Sequence, residues 1–90
     1  MAAITWLNGD EQHFVPALQE AREKLDGAEG ETVLDFSSVR RVDPRGLQAM
    51  EEFAGIAQQK AVKVVLRGVN VDVYKVLKLV KLTHRFTFSK

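Results

Sequence analysis

Apolar positions along this chain recur with two alternating periods. Ile4 to Leu7 is a short apolar run that stops at Asn8-Gly9-Asp10, a turn signal, and predicts a first strand. From Glu11 the period lengthens. Phe14, Leu18, Ala21 and Leu25 recur every three or four residues and define one helical face, with Glu20, Glu23 and Lys24 away from it. Pro16 has no N–H to donate inside a helix, so the spacing places the helix start near residue 14. Asp26-Gly27-Ala28-Glu29-Gly30-Glu31 reads as the connecting loop. Thr32 to Val39 follows, β-branched and apolar with little alternation, as in a strand covered on both faces.

A second helical stripe comprises Leu47, Met50, Ala54 and Ala57, flanked by Phe53. Glu51, Glu52, Gln58 and Gln59 lie outside it, and Ile56 projects away to solvent. Asp43-Pro44 is a strong helix opening, because the aspartate can cap free amides and proline presets the first helical angle. Val62 to Arg67 predicts a third strand closed by Gly68. Val73, Val76, Leu77 and Val80 share a third helical face, with Asn70 and Asp72 as cap candidates, and Arg85 to Phe88 predicts a last strand. The order β-α-β-α-β-α-β implies right-handed crossovers and a largely parallel α/β sheet. Nothing divides the 90 residues, so a single domain over residues 1–90 is expected.

Composition narrows the chemistry. There is no cysteine, which excludes disulfides, thiolate metal sites and a cysteine nucleophile. The net charge of +1 gives no reason to expect nucleic acid. No apolar run approaches the roughly 20 residues of a membrane-spanning helix, and no signal-peptide pattern opens the chain, so a cytoplasmic domain is expected. Charge is nevertheless uneven. Residues 1–35 hold eight acidic and two basic side chains, and residues 60–90 hold eight basic and one acidic. The expectation is that folding brings the two halves together and largely cancels the field.

Candidate catalytic groups are few. His13 and His84 stand in no recognisable motif, and Asp35 with Asp43 is a poor carboxylate pair because Asp43 has a capping role. The glycines form neither a phosphate loop nor a dinucleotide fingerprint, and no metal-ligand spacing occurs. The chain is therefore expected to be no enzyme and to need no cofactor and no metal. Lys75, Lys78 and Lys81 are spaced by three on the last helix and form a slanting basic ridge, continued by Arg85. It suits an anionic partner, or is a solvated face whose lysine stems cover apolar surface. A sheet edge at Ile4–Leu7 or Arg85–Phe88 is either a homodimer seam or protected by its neighbours, and both readings stay open from the sequence.

The most informative segment is Val33-Leu34-Asp35-Phe36-Ser37-Ser38-Val39-Arg40-Arg41-Val42-Asp43-Pro44-Arg45-Gly46-Leu47. It resembles the STAS-domain signature, an apolar strand V-L-D-L-S-x-V followed by D-S-S-G-L opening a helix. The strand half matches closely, and the loop half keeps Asp43, Gly46 and Leu47. Val64-Val65-Leu66-Arg67-Gly68-Val69 and the helix from Val73 to Leu82 resemble later parts of the same family, so the likeness covers roughly residues 9–88. It implies a mixed, largely parallel sheet of four to five strands, with about three helices packed mainly on one face.

By the same resemblance, the chain is a non-catalytic protein-interaction module of the anti-sigma-factor-antagonist type. Its partner would be an anti-sigma, kinase-like protein, and the partner-binding loop would comprise Asp43, Pro44, Arg45, Gly46 and Leu47. In antagonists a serine directly after the loop aspartate is phosphorylated. Here that position is Pro44, which has no hydroxyl, and Ser37 and Ser38 do not match it. Full antagonists also begin with two strands before the first helix, and only Ile4–Leu7 is available here. The alternative implied by this trimmed form is an accessory STAS subunit of a phospholipid-transport ABC system, on the cytoplasmic side of a permease–ATPase complex.

Overall fold

The computed structural model describes residues 3–8, 11–27 and 30–89. Four strands, β1 (Ala3–Asn8), β2 (Glu31–Ser38), β3 (Lys63–Arg67) and β4 (Thr87–Ser89), form one sheet in the order β1-β2-β3-β4. Every pairing is parallel. The crossovers carry α1 (Glu11–Glu23), α2 (Pro44–Gln59) and α3 (Val71–Leu79). Right-handed crossovers that always step in the same direction place every helix on one face of the sheet. The core lies beneath that face, with Leu34, Phe36, Leu66, Met50, Phe53, Leu18 and Leu77 fully buried.

Among the described residues, no helix lies on the opposite face. Its side chains form two rows across the strands, Ile4–Val33–Val65–Thr87 and Trp6–Asp35–Arg67–Ser89. This corrects the expectation that β2 is covered on both faces. Its lack of alternation has another cause: Val33 is half-buried by its neighbours, and Asp35 is buried by an ion pair.

Other boundaries differ for identifiable reasons. Helix α1 starts at Glu11 and contains Pro16, three residues earlier than the proline argument allows. Burial of Phe14, Leu18 and Ala21 against the sheet holds the turn despite the missing hydrogen bond. Of the first turn signal, Gly9 and Asp10 lie outside the described residues, as do Ala28 and Glu29 of the second loop. That loop is shorter than expected, because Lys24–Gly27 forms a 3-10 turn that buries Leu25. Ile56 is half-buried against the core rather than exposed, and Val80, expected in the core, is exposed where α3 ends. Thr83–Arg85 is a 3-10 turn, so the last strand starts at Thr87 rather than Arg85.

Sequential strand order also decides the charge distribution. The acidic half (β1, α1, β2) and the basic half (β3, α3, β4) lie side by side and meet along the β2–β3 seam, so the expected mixing does not occur. Cancellation is local: Asp35 pairs with Arg67, and Asp26 with Lys60.

Helices α2 and α3 end in the same way. Val62 N–H donates to Ala57 O and Ala61 N–H to Gln58 O; Leu82 N–H donates to Leu77 O and Lys81 N–H to Lys78 O. These are Schellman closures, in which the residue after the cap takes a left-handed conformation that favours glycine. Here Ala61 (φ 56) and Lys81 (φ 61) occupy it. A side chain in that region costs about 1–2 kcal/mol, part of which glycine returns as unfolded-state entropy. Ala61→Gly and Lys81→Gly are each expected to raise unfolding free energy by about 0.5–1 kcal/mol, read as a higher urea midpoint at unchanged slope.

Candidate functional site

The connections at the carboxyl ends of the strands hold the loop singled out from sequence. Strand β2 ends in a turn in which Val39 N–H donates to Phe36 O at 2.9 Å. The chain then runs through Arg40, Arg41 and Val42 to Asp43, the N-cap of α2. Asp43 Oδ1 accepts from Gly46 N–H at 2.7 Å, Asp43 O accepts from Leu47 N–H at 2.9 Å, and Pro44 occupies the first helical turn as expected. Gly46 is buried because nothing larger fits: a Cβ there would lie 2.8 Å from Val42 Cγ1 and 3.0 Å from Phe14 Cε2. Leu47 is half-buried against the core. The five residues thus divide by role. Asp43, Gly46 and Leu47 anchor the loop, while Pro44 and Arg45 face solvent.

A second anchor was only half legible in the sequence. Asn70, one of the two cap candidates, caps α3 through Oδ1, which accepts from Val73 N–H at 2.7 Å. Its Nδ2 donates to the carbonyls of Val39 and Arg40, at 3.2 and 3.3 Å. One side chain therefore starts α3 and fixes the β2–α2 loop. The spacing Asn70-x-x-Val73 signals the cap, but the contact to residues 39–40 spans thirty positions and has no local signal.

Two grooves flank the loop. One, of about 200 Å³, lies between α1 and α2 and includes Gln19 and Arg22 opposite Arg45, Gln48 and Glu52. The other, of about 420 Å³, is lined by Arg40, Arg41 and Val42 on the loop and by Asp72, Val73 and Val76 on α3. Arg40, Arg41 and Arg45 are all exposed, so the loop tip is cationic and the Asp43 carboxylate is turned inward to its cap.

The basic ridge is shorter than the sequence spacing suggests. Lys75 and Lys78 lie exposed on α3, but the helix ends at Leu79 and Lys81 sits in the closing turn, so the three lysines do not share one helical face. Arg85 falls on the 3-10 turn beside His84, in a separate groove with Lys63 and Gln58. Between the lysines α3 exposes apolar residues, Val71 at 67% and Leu79 at 81%. His13 lies on α1 and His84 before β4, on elements at opposite ends of the strand order. Ser37 and Ser38 are exposed at the end of β2, with Ser37 packed so closely on Gly68 that a Cβ there would meet its Oγ at 2.6 Å.

Asp35 is on the helix-free face, away from Asp43. Its Oδ2 accepts from Arg67 Nε at 2.8 Å and its Oδ1 from Ser37 N–H at 2.9 Å, and the Arg67 guanidinium lies 5.1 Å over the Trp6 ring. Burial pushes this carboxyl up, but the Ser37 hydrogen bonds and Arg67 outweigh it and leave the group below its ordinary value.

A family model described as "Mlab, STAS domain" matches residues 7–87. The chain belongs to the STAS domain family. Within it, this STAS domain is 36% identical over 77 residues to the intermembrane phospholipid transport system binding protein MlaB of Escherichia coli (strain K12), covering 84% of this chain and 77% of that protein. The Shigella flexneri protein of the same name matches equally. Among solved structures, the STAS domain of a SulP transporter from Vibrio cholerae superposes with TM-score 0.76 at 21% identity, covering 98% of this chain and 73% of that one. A putative anti-sigma factor antagonist from Thermotoga maritima gives 0.68 at 17%, covering 100% and 75%. These likenesses bear out the α/β fold expected from the sequence; of the mixed, largely parallel sheet of four to five strands, the described residues form four strands with every pairing parallel.

Two measurements test the anchors of this STAS domain. Asn70→Ser keeps a capping oxygen and loses the loop contacts, so it is expected to cost about 1 kcal/mol and Asn70→Ala about 2, both with faster hydrogen exchange at residues 40–43. Because the folded Asp35 carboxyl titrates below its unfolded value near about 3.9, its stabilisation is present above that pH and is lost as pH falls through the folded value. The urea midpoint of the unmodified chain should therefore drop more between pH 7 and pH 3 than that of Asp35→Asn.

Proposed function

We propose that this STAS domain is a non-catalytic accessory subunit of an intermembrane phospholipid transport system, acting as a protein-docking module on the cytoplasmic side. The observation that carries this reading is the 36% identity to MlaB across 84% of the chain. The anti-sigma-antagonist reading has behind it the short motifs of residues 33–47 and a likeness of fold at 17% identity. Pro44 favours the transport reading, because the position that the family resemblance assigns to a phosphorylated serine has no hydroxyl here. Docking would then be constitutive or regulated on the partner. No helix among the described residues is long and apolar enough to cross a membrane, so membrane attachment through a partner fits the chain.

The docking surface is the anchored loop with the adjoining face of α3. Arg40, Arg41 and Arg45 project from a backbone that Asp43 and Asn70 hold still, so little ordering entropy is lost on binding. Val71, Lys75, Lys78 and Leu79 extend it along α3 as a mixed cationic and apolar strip. A partner of matching chemistry is acidic with apolar anchors.

The test is co-purification of the tagged chain from its native cytoplasm. Recovery of a transport ATPase is expected, with at least tenfold less for Arg45→Glu at unchanged circular dichroism. Recovery of a kinase-like anti-sigma protein instead would favour the antagonist reading, and unchanged recovery with Arg45→Glu would remove the loop from the docking surface.

A further inference from the structure

All-parallel sheets are found almost only with both faces covered, and here one face carries no helix among the described residues. The four strands present different side chains on that face. From β1 come Ile4 and Trp6, 46% and 68% exposed. From β2 come Glu31, Val33 and Asp35, and from β3 their register partners Lys63, Val65 and Arg67. From β4 come only Thr87 and Ser89. Across the strands the face therefore runs from bulky and apolar, through acidic and then basic, to small and polar.

The seam between β2 and β3 adds a second observation. Asp35 and Arg67 satisfy each other within the chain. Glu31 and Lys63 are Cα partners across the same seam, yet among the described residues no ion pair joins them. Glu31 is half-buried and Lys63 exposed, so one acid and one base stand side by side on this face with their charges uncompensated.

We infer that the chain associates with a second copy of itself through this face, the two sheets stacked about a two-fold axis that runs parallel to the strands along the β2–β3 seam. Such an axis lays β2 of each copy over β3 of the other, and β1 over β4. At the roughly 10 Å spacing of packed sheets, Glu31 of one copy reaches Lys63 of the second, twice by symmetry. Val33 meets Val65, while Ile4 and Trp6 fall on Thr87 and Ser89, side chains small enough to leave room for an indole. The acidic half of each molecule also comes to lie over the basic half of the other. The other in-plane two-fold, perpendicular to the strands, stacks β2 on β2 and β1 on β1. Acids then oppose acids, Trp6 and Ile4 crowd their own copies, and a gap opens between the two β4 strands. Charge and size thus select the first arrangement. The face is only about 14 Å wide over its three strand spacings. The pairing therefore belongs with weak, reversible interfaces of less than roughly 1,200 Å². Opposite charges meet across it, so added salt weakens the association.

This pairing is independent of the transport reading, since α3 lies on the helix-covered face and the docking loop beyond the carboxyl ends of the strands. In sedimentation velocity the unmodified chain should move from monomer toward dimer with rising concentration, less so at high salt. Emission from Trp6, the single tryptophan, should shift to the blue over the same range. Glu31→Lys and Lys63→Glu should each self-associate at least tenfold more weakly at unchanged circular dichroism, because each sets like charges against each other. An equimolar mixture of the two should recover the association, because the exchanged charges again oppose. If either variant does not fold, Ser89→Arg decides, since it fills the space taken by Trp6 and should weaken the association by the same factor. Monomer at every concentration to about 1 mM, association strengthened by salt, mixed charge variants that stay monomeric, or Ser89→Arg that dimerises unchanged overturns the proposal.

Discussion

The direction in which the chain winds governs this molecule. Four parallel strands laid down in sequence order, each joined to the next by a crossover of one hand, leave no helix for the second face of the sheet. Parallel sheets are ordinarily covered on both faces, so the bare face must be stabilised by its own side chains. The Trp6–Asp35–Arg67 row does this across three strands. Arg67 neutralises a carboxylate that would otherwise be buried unpaired, and its planar cation also covers part of an indole that no helix shields. An alanine at Arg67 would therefore remove more than an ion pair, since it would strand Asp35 and uncover Trp6 together.

The same winding separates charge. A doubly wound sheet adds strands in both directions from its centre and mixes early with late sequence, whereas this sheet only adds outward. An acidic first third and a basic last third consequently become two sides of one molecule, joined where Asp35 meets Arg67 and Asp26 meets Lys60. A field of this kind orients a charged molecule before contact, with α3 and the arginines of the β2–α2 loop on its positive side and α1 on its negative side.

Local signals in the sequence carried most of the fold and the framework of the site. The period changes at Glu11, Asp43 and Asn70 place the helices, because a buried face must repeat every 3.6 residues whatever it packs against. Asp43-Pro44 announced its own capping geometry. What stayed illegible depends on contacts between distant positions. Val33 and Asp35 read as a strand buried on both faces because a pattern does not say whether burial comes from a helix or from an arginine thirty-two residues later. The lysines at 75, 78 and 81 read as one ridge because helical spacing does not show where a helix stops. Pro16 misplaced a boundary for the converse reason, a local penalty overridden by the packing of Phe14 and Leu18.

The loop combines two requirements that seldom coincide, a rigid backbone and an exposed charge. Rigidity comes from groups turned inward: the Asp43 carboxylate on the Gly46 amide, the Asn70 amide on two loop carbonyls, and a glycine wedged against Val42 and Phe14. Exposure then falls to the residues between these anchors, Arg40, Arg41, Pro44 and Arg45. A serine at position 44 would present a group whose charge a kinase could change by nearly two units at a helix N-terminus, where an anion is favoured. Proline keeps the helix start and offers no hydroxyl for such a switch, and Arg45 beside it adds an exposed guanidinium. The tip of this loop is in consequence an exposed cation on a rigid mount, the arrangement on which the proposed docking relies.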